Sequence, residues 1–331
     1  MGRTATSFLL AAAFGLAVML TAWPASANKL DLALARFIEC QTPAACEARL
    51  ADYERFMAEY AFGIGPRTAS PASTLGYSGF YLGVEGTVTP VPGEAGNRWD
   101  TGTAPLGEAP TVMFYPGVRV RKGLPWSFEI GASLNYLAQS ETIGLGADIK
   151  WTLFEGYRHG FRGVLPDIAA RGSVVRVGGQ GDIDMTIVGV DGAISYSFGV
   201  GGMISLTPFV GFQYIWTLIR VEPLVFRDEE PGGHPDWPSE ENSYHPQDGG
   251  LYDMSGLSGP NLERMRLFLG LQLKYELMSI ILEGGWGLPH QWNTAVAPND
   301  QYGTGIGFND EEYKTEVDHQ FQFTGGVGMD F

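Results

Sequence analysis

Five histidines and two cysteines are the side chains of this 331-residue sequence with the most reactive chemistry to offer. Base-assisted serine or water chemistry needs a histidine or carboxylate held within hydrogen-bond reach of the proton it takes. His159 falls in a short turn, and His234, His245 and His290 fall in or beside long polar stretches that fix no geometry. His319 follows Asp318 directly, and neighbours on a strand point to opposite faces, so that pair does not converge. Asp182 and Asp184 are two apart and share a face. Carboxylates are present without a well-placed base, and an enzyme is not expected. Cys40 and Cys46 would form a disulfide in an oxidising compartment, with two free thiols as the alternative. Two cysteines alone make a weak metal site, and neither a metal nor a cofactor is expected.

Acidic residues cluster in two stretches. Residues 220–262 carry Glu222, Asp228, Glu229, Glu230, Asp236, Glu240, Glu241, Asp248 and Asp253 against Arg220 and Arg227. Residues 289–316 add Asp300, Asp310, Glu311, Glu312 and Glu316 against Lys314. Several carboxylates together can take up a divalent cation, but no spacing matches a calcium loop, and a solvated, self-repelling loop is the reading preferred. With a formal net charge of −16, nucleic acid is not an expected partner.

The elements that would position these groups are strands. Trp126, Phe128, Ile130, Ala132, Leu134 and Tyr136 form one face of a segment whose other face is Ser127, Glu129, Gly131, Ser133 and Asn135. Ile143 to Trp151, Ile204 to Leu218 and Leu267 to Tyr275 alternate in the same way, with weaker versions near 77–89, 110–121, 165–178, 183–198 and 279–288. The last strand reads Phe321, Phe323, Gly325, Val327 and Met329 on one face and stops on Phe331. Together these give about ten strands, with eight to twelve allowed. Glycine, at 46 residues, is about twice its usual share, as crowded or bent strands require.

An apolar-faced terminal strand ending on an aromatic residue resembles the bacterial outer-membrane β-barrels, whose assembly machinery reads that final segment. The resemblance covers about residues 77–331 as a class pattern. It implies an all-β fold: a closed antiparallel transmembrane β-barrel with a short helical N-terminal segment, in the outer membrane of a Gram-negative cell. Its partners would be outer-membrane lipid, lipopolysaccharide and the barrel-assembly machinery, with a periplasmic or surface protein also open. Loop lengths agree, because such barrels alternate short periplasmic turns with longer outside loops. Turns fall near 122–125, 156–164, 199–202 and 277–279, and the long connections 90–109, 220–262 and 289–316 all land on the other side. A soluble β-sandwich also alternates but has no need of one-sided loops. Trp126, Trp151, Tyr275 and Phe331 would form the periplasmic aromatic girdle, and Tyr136, Trp216 and Trp286 the outer one.

The opposite faces would point Glu85, Arg119, Arg121, Glu129, Asp148, Lys150, Arg171, Asp191, Arg266, Lys274, Glu283 and Asp318 into the lumen, where charges must be paired or solvated. Residues 1–27 read as a secretory signal peptide: Arg3, an apolar stretch from Phe8 to Trp23, and Ala25-Ser26-Ala27 at the cleavage site. Residues 28–62 change to helical spacing and read as a periplasmic helical hairpin with the disulfide, a helix starting at Thr42-Pro43. Residues 63–76, rich in Gly, Pro, Ser and Thr, read as a linker.

The functional expectation is a narrow porin-like channel or transporter for small solutes with an acidic extracellular mouth. The alternative is a non-conducting structural or surface-interaction protein. A third reading comes from the omptin proteases, which use a pair of aspartates and an Asp with a His near the outer rim. Asp182 with Asp184, and Asp318 with His319, are similar to that set.

Overall fold

The computed structural model describes residues 29–37, 43–92, 97–103, 110–155, 165–179, 183–200, 203–221, 262–294 and 313–331. Ten long strands make the wall: β1 (Phe80–Pro90), β2 (Val112–Gly123), β3 (Phe128–Tyr136), β4 (Ile143–Phe154), β5 (Asp167–Gly178), β6 (Ile183–Ser195), β8 (Ile204–Val221), β9 (Leu262–Tyr275), β10 (Met278–Gly287) and β13 (Gln320–Asp330). A short β7 (Phe198–Val200) carries the line of β6 past a two-residue break and also pairs with β8. Each wall strand pairs antiparallel with the next, and the ring closes where β1 meets β13, from Tyr81 opposite Asp330 to Val88 opposite Phe323. A hairpin of β11 (His290–Thr294) and β12 (Tyr313–Val317) stands apart from the ring. Closure leaves no sheet edge, so the wall's backbone groups are satisfied within it, the condition for strands to stand in lipid.

The outer face is largely apolar on every strand, with Arg176 and Asp184 paired on it toward the loop end. Leu269 is 67% exposed, Leu145 62%, Leu282 59% and Phe323 58%. Such a continuous belt on a water-borne protein would drive association; around a barrel it is the lipid-facing band. No helix among the described residues is long and apolar enough to cross a membrane. The strands do the crossing.

Both ends of the barrel chain, Phe80 and Phe331, lie at one end of the ring and exchange backbone hydrogen bonds of 3.0 and 2.8 Å. At this terminal end β2, β4, β7 and β9 finish and β3, β5, β8 and β10 begin. The opposite, loop end holds, among the described residues, 91–92, 97–103, 110–111, 137–142, 179, 288–294 and 313–319.

The interior is occupied by the chain's own N-terminal side. A 22-residue helix, α1 (Pro43–Ile64), stands in the loop half of the lumen. Tyr53, Phe56, Met57, Tyr60, Phe62 and Ile64 are each at most 1% exposed. The wall answers with inward apolar residues at that level, among them Met113, Val175, Val177, Met185, Ile187 and Ile219. Those strands are therefore apolar on both faces, outward to lipid and inward to the helix. Burying the six helix side chains contributes about 1.5–3 kcal/mol each.

The sequence reading makes residues 28–62 a periplasmic helical hairpin and 63–76 a linker, and leaves open whether this part hangs below the barrel, plugs it or binds a partner. Among the described residues, a 3₁₀ turn (Leu34–Phe37) and α1 sit at the loop end, and residues 65–76 run through the lumen to the terminal end. The reason is physical: from Phe56 to Ile64 α1 carries a single charge, Glu59, and every residue there is buried, so this half of the helix needs cover on all sides. Leu30 N–H bonds to the Gln139 carbonyl at 2.9 Å and Ala33 N–H to the Gly102 carbonyl at 2.9 Å, stitching the N-terminal side to two loops. Residues 1–27, expected as a signal peptide, Cys40 and the side chain of Cys46 lie outside the described residues, as do most of the two acidic stretches.

Candidate functional site

The lumen wall below α1 is a ladder of charged neighbours. Glu129 on β3 stands opposite Lys150 on β4, which stands opposite Arg171 on β5, then Asp191 on β6, Gln213 on β8 and Arg266 on β9. Period-two spacing puts each on the inward face, and strand register brings them side by side. Glu129 pairs with Lys150 at 3.1 Å and with Arg121 at 3.4 Å. Arg171 pairs with Asp191 at 3.0 Å. A second group links Arg119 to Asp148 at 2.7 Å and to Glu85 at 3.7 Å. Lys150 and Arg171 are like charges on adjacent strands, and each has an acid on its other side plus carbonyls from the lumen segment.

Residues 65–76 lie against this ladder with no regular secondary structure. Arg171 donates to the Thr68 carbonyl at 3.0 Å, and Lys150 to the Pro71 and Ser73 carbonyls at 3.1 and 2.9 Å. Thr152 donates to the Ala72 carbonyl at 2.6 Å, and Arg266 to that of Pro66. In the other direction Ala72 N–H reaches Ser195 Oγ at 3.1 Å and Leu75 N–H reaches Glu129 Oε2 at 3.1 Å. Arg67, the one charge in this stretch, lies 3.7 Å from Glu85, and the Thr68 hydroxyl donates to Glu283 at 2.7 Å. The cavity between Arg67, Arg119 and Asp148 is about 10 Å³, room for roughly one water. Among the described residues this lumen is filled.

At the loop end a latch holds α1 down. The five-residue helix α2 (Arg98–Gly102) starts on Asn97, whose side chain accepts from the N–H groups of Trp99 and Asp100. That cap aims Arg98 and Trp99 at α1. Glu59 takes both Arg98 Nε at 3.2 Å and Arg98 Nη2 at 2.5 Å, and accepts from Trp99 Nε1 at 2.6 Å. Burial works against the Arg98 charge, yet the hydrogen bonds and charge of Glu59 hold its pKa above the usual arginine value. Trp99 also packs edge-on against Phe56 with ring centroids 4.9 Å apart. Beside it the Thr315 hydroxyl on β12 donates to Glu54 at 2.8 Å.

The structure places the residues singled out in the sequence as follows. Glu85, Arg119, Arg121, Glu129, Lys150, Arg171, Asp191, Arg266 and Glu283 are buried on the inner wall, and Asp148 is paired among them. Lys274 sits at the terminal rim, bonded to Asp330 at 2.7 Å. Asp318 is a correction: it is exposed in the connection before β13, outside the lumen, and its backbone carbonyl accepts from Arg264. Trp126, Trp151, Tyr275 and Phe331 are exposed toward the terminal end, and Tyr136 and Trp286 toward the loop end, with Trp216 half-buried there.

The omptin-like set is not brought together. Asp184 on β6 pairs with Arg176, while His319 accepts from Trp286 Nε1 at 3.0 Å beside β13. Three ring strands separate β6 from β13 one way and five the other. Asp182 lies outside the described residues. Sequence reasoning missed Arg264, which shares a face with Arg266 and stacks on Phe62 at 4.9 Å; extending the β9 alternation by one step would have found it. It also missed Arg67, Glu59 and Ser195, whose partners are distant in sequence and leave no local signal.

No family model matches the chain, and no curated protein matches it. Among solved structures it is similar to the KdgM porin, at 7% identity over 76% of this chain and 99% of that one, with a TM-score of 0.27. It is similar to the outer membrane protein OprG from Pseudomonas aeruginosa, at 11% identity over 79% and 99%, with a TM-score of 0.27. It is similar also to the translocator domain of the autotransporter NalP from Neisseria meningitidis, at 11% identity over 88% and 98%, with a TM-score of 0.34. Scores this low say nothing of activity. On its own strand order, closure and apolar belt the chain is a transmembrane β-barrel of ten wall strands with an internal N-terminal segment.

Proposed function

We propose that the protein is an outer-membrane channel for small solutes held closed by its own residues 30–76. The observation that carries this reading is the source of the filling. A barrel serving only as a wall can fill its lumen with wall side chains; here the wall's charges pair among themselves, its apolar inward residues pack on α1 and on Ala69 and Ala72, and a separate stretch of chain fills the space. Arg119 with Asp148, Arg121 with Glu129 and Lys150, and Arg171 with Asp191 are paired within the wall itself. They would stay satisfied with water in place of the segment. Location in the outer membrane follows from the barrel and its belt, since closed barrels of this kind span that membrane. The loop end is then the outer face, and the acidic stretches 220–262 and 289–316 begin and end at strands whose ends lie there. An anionic mouth would favour cations.

A second reading, a non-conducting surface-interaction barrel, is favoured by the apolar socket around α1. Lifting six buried side chains into water costs far more than thermal energy, so opening would need an external drive. Planar-bilayer conductance decides between them. The full chain is expected to be silent, and the chain lacking residues 28–76 to pass a stable, cation-selective current. A folded deletion variant, checked by strand content, that stays silent supports the second reading.

A further inference from the structure

We propose that the terminal-side half of the lumen is a binding track for an extended polypeptide with small side chains, of which residues 65–76 are the attached occupant. This deepens the closed-channel reading by naming a ligand class, and it rests on that reading only in requiring that the track can be vacated.

The wall addresses the occupant through its main chain. Carbonyls 66, 68, 71, 72 and 73 each accept from a wall side chain, and the N–H groups of 72 and 75 each donate to one. These bonds come from β3, β4, β5, β6 and β9, so the track runs along the lumen rather than sitting on one patch. Donors and acceptors both line it, matching a peptide backbone, which offers both at every non-proline residue. An anionic saccharide would meet Glu129 and Asp191 as repulsive groups, and a neutral polyether could use only the donors. Recognition through the main chain gives affinity without demanding a sequence, as in strand addition to a sheet edge. Size is what the site restricts: Ala69 and Ala72 are fully buried against Ala169, Ala193, Phe209 and Phe268.

The test uses the full chain with a protease site inserted between Tyr77 and Ser78, which are exposed at the terminal end. Cutting after folding frees one end of the occupant while α1 stays in its socket. Photo-crosslinking 12-mers are then added at millimolar concentration, to compete with a tethered copy of similar effective concentration. One has the sequence of residues 65–76, one is a scramble of the same composition, and a polyether of equal length is the chemical control. Both peptides are expected to label the Thr152 and Ser195 strands to within about threefold of each other in the cut protein, and not in the uncut one. Labelling by neither peptide, equal labelling by the polyether, or a tenfold preference for the native sequence would overturn the proposal.

If the cut protein does not survive, the uncut chain with residues 65–76 scrambled in place gives a second measurement. The amides of positions 72 and 75 should keep their hydrogen-exchange protection. A loss of tenfold or more there, with α1 still protected, overturns the track. Conductance of the deletion variant without peptide labelling would remove the track and leave the channel; labelling without conductance would do the reverse.

Discussion

Leu269→Arg is expected to destabilise the barrel by about 2–4 kcal/mol when it is folded in a bilayer, the cost of a cation on the lipid face near the midplane. Leu269 lies in the middle of β9, flanked by Leu267 and Leu271 on the same outward face, and is the most exposed of the large belt residues there. On a protein surrounded by water the same change at an exposed position would stay within about 0.5 kcal/mol. Equilibrium unfolding by urea in lipid vesicles reads the difference. A near-neutral result would mean that this face does not meet lipid.

The second large effect concerns the lumen. Glu129 is 1% exposed and holds Lys150, Arg121 and the Leu75 N–H together. Glu129→Ala leaves two buried cations sharing no acid, and breaking a buried pair in this way costs about 3–5 kcal/mol. Adding Lys150→Met should recover part of the loss, because one of the stranded charges is then gone. The same unfolding experiment checks both variants. A loss below about 1 kcal/mol is what a solvated pair would give, and would place water rather than chain at this level of the lumen.

How far the sequence discloses this structure depends on what each side chain faces. Strands such as β3 and β4 are legible because their inward residues are Glu129, Gly131, Ser133, Asp148 and Lys150, so apolar and polar alternate cleanly. The β5 and β6 strands read more weakly for a reason visible in the fold. Val175, Val177, Met185 and Ile187 point inward onto α1, while Val174 and Val190 point outward to the belt, so the period of two fades.

Residues 63–76 mislead for a different reason. A Gly, Pro, Ser and Thr composition marks a chain without its own backbone ladder, but it does not say whether water or distant side chains satisfy that backbone. Here Lys150, Thr152, Arg171 and Arg266 do so, across separations of 77 to 200 residues. The lumen charges themselves follow from parity. Their direct neighbours around the ring follow only from register, which depends on every turn between them.

The most direct test is a disulfide between lumen segment and wall, in a background where Cys40 and Cys46 are serine. Ala72 N–H lies 3.1 Å from Ser195 Oγ, which puts Ala72→Cys and Ser195→Cys within bridging reach. The double variant, expressed in an oxidising compartment, should be recovered as a cross-linked species of altered gel mobility. Absence of the bridge, with the thiol at position 72 freely alkylated by a hydrophilic maleimide in the folded protein, would contradict the threading of residues 65–76 through the barrel.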